Sequence, residues 1–326
     1  MGTDNKRKAR KNLANQQKIF NQYRPRLQAI AYRMLGTIGD AEDMVQETFI
    51  KWLSVSVEEI QSPQAYLTTI VTRLCIDYLR SSKVRHEQYV GVWLPEPIVS
   101  HFSNEPSELV ELADSLAMAF LVILERLSPV ERAVFLLREV FEYDYDEISR
   151  HVGKNGANCR QIFRRAKQHI EVNRSRFDTS LSQQEQLTRK FIEACEQGDL
   201  PGLIDLLAAD ITLWSDGGGK VQSLLKPMQG GTKVARFLIA LRRSKLIPNY
   251  DSELVRVNGQ IGIIYSLKGS VQNVVTFEFI ACRIRSIYFV RNPDKLRRIS
   301  DSFPPILTVL RNDSLLPVES LAENCG

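Results

Sequence analysis

The residues best suited to chemistry with another molecule are amide and guanidinium side chains on one predicted helix, residues 157–170. Its apolar positions recur at helical spacing and predict one buried face. Another face carries Asn158, Gln161, Arg165 and Gln168, with Arg160, Arg164 and Lys167 beside them. Amides and guanidinium groups form paired hydrogen bonds with adenine and guanine edges, whereas flanking cations neutralise phosphates. Residues 157–176 hold six Lys or Arg against one Glu, an imbalance that predicts DNA contact.

Two predicted elements position this helix. A shorter helix over residues 145–152 has Ile148 on its inward face, and the Gly-containing turn 153–156 follows it. Two short helices joined by such a turn are typical of a helix-turn-helix DNA-binding unit. Upstream, another helix is predicted to begin after residue 128. Ser128 is suited to cap it, and Pro129 suits its first position.

A second candidate surface spans residues 40–85, where an acidic helix precedes a basic one. We expect Asp40 to cap the first helix, with Glu42 and Asp43 in its first turn, where carboxylates favour the helix dipole. The predicted apolar stripe of this helix is Met44, Val45, Phe49, Trp52 and Leu53. The second helix begins at the Ser-Pro pair 62–63, and its solvent side ends in Arg73, Arg80, Lys83 and Arg85. Such a pair can hold a protein partner with one face and nucleic acid with another.

Composition limits the classes of protein that fit. The 326 residues, 44% of them hydrophobic, can form two or three domains, and a formal charge of +5 is too small for a histone-like binder. Five cysteines without a CxxC pair and four histidines argue against a zinc site and a disulfide framework. We therefore expect no metal and no cofactor. Without an apolar run of about 18 residues or a signal-peptide core, we expect a protein of the reducing cytoplasm.

The chain divides by pattern into helical and mixed regions. The predicted fold class is multidomain, with two all-α domains, the second carrying the helix-turn-helix, and a C-terminal α+β domain. From residue 211 the period changes to short β-rich runs, which indicates a curved sheet wrapped by helices. The predicted segments are a basic flexible tail (1–15), a helical domain (16–88), an extended linker (89–108), the helix-turn-helix domain (109–178), the α+β domain (182–300) and a tail (301–326).

Several stretches together carry a resemblance to a known family. In the first half they are RPRLQAIAYRMLGTIGDAEDMVQETFIKWL, SPQAYLTTIVTRLCIDYLRS, YVGVWLPEP in the linker, and VGKNGANCRQIFRRAKQHI. In the second half they are WSDGGGK at 214–220 and RNPDKLR at 291–297. With these stretches the chain resembles extracytoplasmic-function (ECF) RNA polymerase sigma factors of the SigJ-like group, which carry a fused SnoaL-like C-terminal domain. The fold implied for that domain is an α+β cone with an internal pocket.

The resemblance implies partners, which are core RNA polymerase and promoter DNA, and roles for particular residues. Polymerase binding is assigned to Asp43, Gln46, Glu47 and Phe49. Reading and melting of the minus-ten element is assigned to Arg73, Asp77, Arg80 and Lys83. The loop 54–62 would cradle a base flipped from the non-template strand. Reading of the minus-thirty-five element is assigned to Asn158, Gln161, Arg164 and Arg165, although Asn-Gly-Ala-Asn-Cys stands where commoner members have a Ser/Thr-rich start.

The C-terminal motifs allow two interpretations. A Gly-Gly-Gly run requires positive φ or the close approach of another segment, which favours a turn or docking surface over catalysis by Asp216. In the family the extension acts as an attached regulator that contacts both sigma domains. The residues given interdomain regulatory roles in this way are Trp214, Asp216, Gly217, Gly218, Gly219, Lys220, Asn292, Pro293, Asp294, Lys295 and Leu296. The implied pocket also leaves room for a small ligand.

The main hypothesis is a transcription initiation factor without catalytic chemistry, modulated by its own C-terminal domain and not associated with a membrane. One alternative is a DNA-tethered enzyme that uses the C-terminal pocket. Another is a ligand-sensing repressor that binds DNA without polymerase, although it would not need the arrangement at 40–85. The enzyme would be favoured if Asp216 or Trp214 lined a closed pocket that holds an ionisable base.

Overall fold

A computed structural model of the chain describes residues 2–87, 89–100, 117–171, 179–244 and 250–302. The chain forms two compact units. The first, called here the helical unit, comprises Met1–Glu96 and Asn104–Arg174, and the second, the sheet unit, comprises Pro97–Ser103 and Ser175–Gly326. The two predicted all-α domains share the helical unit because their helices pack on one another. Within the described ranges, no helix is long and apolar enough to cross a membrane.

The helical unit is built around the first three of its helices. In its described part the elements are α1 Gly2–Leu35, α2 Ile38–Leu53, a 3-10 turn Val57–Glu59, α3 Pro63–Glu87, α4 Met118–Leu124, α5 Pro129–Glu139, α6 Tyr145–Val152 and α7 Gly156–Glu171. Trp52 of α2 is fully buried, and its indole N–H donates to the Gln16 carbonyl of α1 at 2.9 Å. Helix α3 packs on α1 and α2 and also on α5 and α6.

The first helix begins earlier than predicted. Residues 1–15 were expected to form a flexible tail, but α1 starts at Gly2 and continues through Pro25. No Gly or Pro interrupts residues 3–24, and Lys, Arg, Ala and Gln in this stretch are good helix formers. Helical propensity therefore extends the element beyond its apolar stripe, which was the signal used to place its start.

The start of α2 also differs from the prediction. Thr37 is the N-cap residue, and Asp40 lies in the first turn, where it accepts a hydrogen bond from the Tyr78 hydroxyl at 2.6 Å. A carboxylate from the linker is present at the helix start instead, since Glu96 accepts the N–H of Ile38 at 2.8 Å. Glu96 thus satisfies one of the backbone donors that a helix N-terminus leaves open.

The predicted linker is structured over its described part. Leu94 is fully buried, and Trp93 lies so close to Gly36 that a Cβ added there would be 2.5 Å from the ring. Gly36 also has φ +74, a left-handed conformation that favours glycine. In the sheet unit, Val99–Ser100 forms strand β1. Residues 101–108 of the predicted linker lie outside the described residues.

The sheet unit confirms the predicted α+β fold class. Its described elements are β1, α8 Leu181–Gln197, α9 Leu200–Leu206, β2 Leu207–Asp216, β3 Met228–Gln229, α10 Gly231–Arg243, β4 Asp251–Val257, β5 Gln260–Leu267, β6 Ser270–Ile280, β7 Arg283–Val290 and α11 Pro293–Ser302. The strand order is β1-β4-β5-β6-β7-β2-β3, and all neighbours are antiparallel except the parallel pair β2 and β7. Residues 303–326, most of the predicted tail, lie outside the described residues.

Three hairpins and two helices shape this sheet. Their two-residue turns, Asn258-Gly259, Lys268-Gly269 and Ala281-Cys282, have positive φ, as such turns require. Helices α8 and α10 contribute to one apolar core with the strands, in which Phe191 packs edge-on against Phe277 with ring centroids 5.2 Å apart. Helix α10, together with α8 and the middle strands, also lines a cavity that is described below.

Candidate nucleic-acid and polymerase interfaces

Helix α7 is held in the helix-turn-helix by its apolar face. The Phe163 ring stacks on Phe135 of α5 with centroids 5.9 Å apart. Cys159, Ala166 and Ile170 are buried, as their spacing predicted. One face of α7 is therefore fixed against its neighbours, which determines the side chains that remain outside.

The turn before α7 depends on a glycine and an asparagine. Gly153 has φ +65 and ends α6 in the left-handed conformation, with its N–H donating to the Ser149 carbonyl. Asn155 Oδ1 accepts the N–H of Asn158 at 2.8 Å and so satisfies a donor in the first turn of α7. The predicted helix-turn-helix is present, and its second helix, predicted over 157–170, extends one residue further at each end.

The outer face of α7 carries the side chains predicted to read the minus-thirty-five element. All four are exposed: Asn158, Gln161, Arg164 and Arg165. Arg160 has a different place, because its guanidinium lies over the Tyr145 ring at 5.7 Å from the centroid and contributes to packing. The face thus offers two amides and two guanidinium groups at the surface, which are the groups that hydrogen-bond to base edges.

Helix α2 presents a mixed acidic and apolar face. Asp43 and Gln46 are exposed, and Glu47 is about half-exposed and pairs with Lys51 at 3.4 Å. Ile50 is 62% exposed and lies three residues after Glu47, so it belongs to the same face. Ile50 was missed by the sequence reasoning. It could have been found as an apolar residue that lies outside the predicted stripe and seven residues after Asp43, which places it on the same face of the helix.

Two aromatic or apolar residues of α2 differ from expectation. Phe49, predicted to bind polymerase, is half-buried, and its ring is tilted against Phe20 of α1 with centroids 4.7 Å apart. Leu53 was placed in the buried stripe but is 37% exposed. The buried positions of α2 are Ile38, Ala41, Val45, Thr48 and Trp52, so the buried stripe is shifted to include small and polar residues, and Phe49 and Leu53 lie at its edge.

Comparison with known proteins decides the family. The models of Sigma-70 region 2 and Sigma-70 region 4 match residues 19–85 and 117–170. The chain is 32% identical over 295 residues to the ECF RNA polymerase sigma factor SigJ of Mycobacterium tuberculosis, covering 85% of this chain and 91% of the relative. The chain belongs to the ECF sigma factor family. It therefore functions in promoter recognition and transcription initiation with RNA polymerase.

Two further comparisons, with a second relative and with a solved structure, match different lengths of the chain. The probable ECF sigma factor SigI of Mycobacterium tuberculosis is 38% identical over 187 residues, which is 57% of this chain and 64% of that relative. The crystal structure of Mycobacterium tuberculosis SigJ matches with a TM-score of 0.69 at 29% identity, over 85% of this chain and 97% of that one. The likeness to SigJ thus includes the sheet unit as well as the sigma regions.

Within this sigma factor, the first residue predicted for the minus-ten element is held by the helix-turn-helix. Arg73 of α3 donates from Nη2 to the Arg150 carbonyl at 2.8 Å and from Nε to the His151 carbonyl at 3.1 Å. Both acceptors lie in the last turn of α6, where carbonyl oxygens lack helical partners and attract a cation. Nearby, Thr69 Oγ1 lies 2.8 Å from His151 Nδ1.

His151 is the buried centre of this α3–α6 contact. It is 1% exposed, and its ring meets Tyr143 edge-on with centroids 5.0 Å apart. Burial, together with the smaller effect of the nearby charges of Arg150 and Arg73, lowers the pKa of His151 to about 4. Within the described residues its Nε2 has no hydrogen-bond partner. The imidazole is therefore neutral at physiological pH.

The other predicted minus-ten residues are less constrained. Asp77 and Arg80 are exposed and form a surface pair at 3.3 Å. Lys83 lies in α3, but its side chain is outside the described part of the structure. The loop 54–62 contains the 3-10 turn Val57–Glu59, and most of its residues are exposed. The structure therefore brings Asp77 and Arg80 to the surface of the helix that also carries Arg73.

The two C-terminal motifs meet each other inside the sheet unit. Asp216 is fully buried and pairs with Lys295, whose Nζ lies 2.7 Å from Oδ2. Asp216 Oδ1 also accepts the Gly218 N–H at 3.0 Å, and its carbonyl accepts the Arg291 N–H at 2.8 Å. At Gly218, with φ +62, an added Cβ would lie 2.5 Å from the Asn292 side chain. The glycine run is thus required for close approach.

An outer layer of the same motifs is solvent-exposed. Lys220 and Asp294 pair at 2.6 Å with side chains 54% and 65% exposed. Pro293 is exposed at the start of α11, and Leu296 is buried on its inner side. Trp214 is half-buried and stacks on Tyr288 with centroids 6.5 Å apart. No local pattern marks Asp216 and Lys295 as partners, since 79 residues separate them.

Proposed function

We propose that this sigma factor works through three surfaces of its helical unit, with the sheet unit as an attached regulator. The observation that carries the proposal is an exposed acidic and apolar face on α2 together with an exposed amide and guanidinium row on α7. A DNA-binding repressor would need only the second. The α2 face, with Asp43, Gln46, Glu47, Ile50 and the half-buried Phe49, binds core RNA polymerase.

Two helices share the recognition of promoter DNA in this proposal. Helix α7 reads the minus-thirty-five element through Asn158, Gln161, Arg164 and Arg165. Helix α3 reads and melts the minus-ten element through Arg73, Asp77, Arg80 and Lys83. The loop 54–62 next to α3 receives the base that melting removes from the stack, because its exposed polar residues are accessible to single-stranded DNA.

The contact between α3 and α6 corresponds to a closed state in this proposal. Two of the donors that Arg73 would offer to DNA are used by the Arg150 and His151 carbonyls. Promoter melting therefore requires α6 to leave α3, whereas upstream recognition by α7 does not. Binding of α2 to core polymerase is the step that we expect to precede this release.

The sheet unit regulates rather than catalyses. Asp216, the residue that an enzyme would use as base, is paired with Lys295 and does not line the apolar cavity between α8, α10 and the sheet. Among the described residues that line the cavity, none is Asp, Glu or His. We propose that the two motifs regulate the sigma regions through their exposed members Lys220, Pro293 and Asp294, and that Asp216→Ala changes transcriptional output while core binding persists.

Run-off transcription from a library of random promoter sequences tests the division of labour. Core polymerase with the full chain is expected to select templates that share two separate elements. Arg165→Ala should relax only the upstream element, and Arg80→Ala only the downstream one. Templates without chain-dependent starts would contradict the function. Loss of both elements in Arg165→Ala, with core binding retained, would contradict the assignment of one element to each helix.

A further inference from the structure

The sheet unit contains a cavity of about 110 Å³ between α8, α10 and strands β5 to β7. Its wall is mostly apolar, with Phe191, Leu238, Leu241, Val275 and Phe289 contributed by both helices and by the sheet. An apolar cavity of about 150 Å³ is large enough for benzene. This cavity is somewhat smaller, so it accommodates at most a single ring or a short aliphatic chain and excludes a large cofactor.

The charged groups of the cavity are cations. Arg242 and Arg291 line it together with Tyr250, Tyr265 and the amides of Gln272 and Asn273, and none of its described lining residues carries a carboxylate or an imidazole. A cationic ligand would therefore meet two guanidinium groups without a counter-charge in the lining. A ligand with an anionic or carbonyl oxygen would meet several donors in an environment where apolar walls strengthen each hydrogen bond.

Tyr265 is a largely buried donor of this cavity. Burial raises the pKa of its hydroxyl far above the usual range, with Cys195 acting in the same direction and Arg242 in the opposite one. Burial also raises the pKa of the Cys195 thiol to about 12. Both groups are therefore protonated at physiological pH. Among the described residues, no hydrogen bond involves the Tyr265 hydroxyl, so this donor is available to a ligand.

Arg242 provides the positive charge near Tyr265. Its side chain is 36% exposed, and it makes a long contact of 3.5 Å with Glu196, which is itself exposed. Such a surface pair contributes little to stability and is easily exchanged for another anion. Arg242 can therefore turn from Glu196 to the charged end of a ligand whose apolar part lies inside the cavity.

We propose that this cavity binds a small organic acid, with its ring or short chain against Phe191 and Leu238 and its carboxylate on Tyr265 and Arg242. The cavity also has a connection to the regulatory motifs. Arg291 lines it, while the Arg291 N–H donates to the Asp216 carbonyl at 2.8 Å. A bound acid is therefore placed to alter the motif pair. This regulatory consequence rests on the proposed function, whereas the binding itself does not.

Three probes with one ring and different heads test the ligand class on the full chain. Isothermal titration calorimetry at constant ionic strength would compare benzoate, benzyl alcohol and benzylammonium. We expect benzoate to bind most tightly and benzylammonium not to bind. Equal binding of benzoate and benzylammonium would overturn the proposal. So would no binding of benzoate at concentrations up to about 10 mM, because a Kd above this concentration is too weak for a ligand site.

Two variants and a matched control locate the site. Tyr265→Phe keeps the ring and removes the hydroxyl, and Arg242→Gln removes the charge. Each should raise the Kd for benzoate roughly tenfold or more, because a hydrogen bond to a charged group is lost. Arg236→Gln removes a charge from an exposed position of the same helix outside the cavity and should leave the Kd unchanged. An equal loss in Arg236→Gln would overturn the site.

Core polymerase binding by the same preparation separates the two proposals. A chain that binds core but not benzoate would contradict the ligand site and leave the sigma function intact. A chain that binds benzoate but not core would contradict the proposed function and leave the ligand site intact. Thermal unfolding of each variant without ligand verifies that the fold is retained, and Tyr265→Phe provides a second test if Arg242→Gln is unstable.

Discussion

The helical unit and the sheet unit place their characteristic polar residues in opposite ways. In the helical unit, most residues assigned to partners on α2 and α7 are exposed, and removal of an exposed one costs the fold little. In the sheet unit, the central motif residues Asp216 and Lys295 are buried and paired with each other. One motif can therefore be characteristic of a family because it holds the fold together, and another because it contacts a partner.

Arg73 stands between these two cases. It is exposed at the surface of α3, as a DNA-contacting residue should be, yet two of its donors are held by carbonyl oxygens of α6. A residue of this kind can act on a partner only after an internal contact is given up. The following predictions separate buried, exposed and held residues, in order of expected effect.

The largest effect is expected in the buried ion pair. Lys295→Met leaves the Asp216 carboxylate buried without this partner and should lower the free energy of unfolding by about 3–5 kcal/mol. Lys220→Met is the matched control, because it breaks an ion pair of the same two motifs that is exposed at both ends. It should cost at most about 1 kcal/mol. Urea unfolding measures both, and equal losses would contradict the distinction between the layers.

The exposed row of α7 should affect binding and not stability. Arg165→Ala should weaken upstream promoter binding by about 1–3 kcal/mol, the usual contribution of one paired contact to a base, without changing the midpoint of unfolding. Arg189→Ala, which removes an exposed arginine from α8, is the control. Fluorescence anisotropy with promoter DNA measures the affinity of the holoenzyme. Loss of core binding in Arg165→Ala would contradict the separation of the two surfaces.

The buried His151 makes the helical unit sensitive to acid. Its pKa is about 4 in the folded chain against 6.5 in the unfolded chain, so the unfolded chain takes up its proton first as the pH falls. The contribution of neutral His151 to the free energy of unfolding is complete above about pH 6.5 and declines toward pH 4. At pH 5 about 2 kcal/mol of it is lost. His151→Gln should remove this part of the pH dependence in urea unfolding at pH 7.5 and 5. An unchanged dependence would place the acid-sensitive group elsewhere.

The smallest effect is expected from loosening the α3–α6 contact. The Tyr143 hydroxyl lies 3.1 Å from Thr68 Oγ1 of α3, and Tyr143→Phe removes this bond of about 1 kcal/mol while keeping the ring. If release of α6 limits promoter melting, permanganate reactivity of the minus-ten region should rise by about fivefold. Tyr23→Phe on α1 is the control. Unchanged or lower melting, with core binding retained, would contradict the held state of Arg73.

Local elements of the fold could be predicted from the sequence, but contacts between distant residues could not. The helix-turn-helix followed from Gly153 and from the spacing of Cys159 and Ala166, because both signals act within a few residues. The cap that Glu96 provides for Ile38 joins residues 58 positions apart, and no periodicity marks it. The pairing of Val99 in β1 with Val257 in β4 also joins distant residues, and no local pattern predicts it.

The candidate sites show the same limit. The exposed row on α7 was predictable, since helical spacing alone separates an apolar from a polar face. The partner of Arg73 was not, because the acceptors are backbone carbonyls 77 and 78 residues away that any sequence could supply. Likewise the Asp216–Lys295 pair needs a parallel β2–β7 register that brings Asp216 beside Val290.

The most direct test of the central claim is a pull-down of core RNA polymerase with the full chain and with Asp43→Lys/Glu47→Lys. The control is Glu185→Lys/Glu193→Lys, which reverses two acidic residues on α8 of the sheet unit. We expect stable binding by the wild-type and control chains and a loss of at least about tenfold in the α2 variant, since charge reversal adds repulsion to a lost contact. Wild-type binding by the α2 variant, or an equal loss in the control, would contradict the assignment of this face to polymerase.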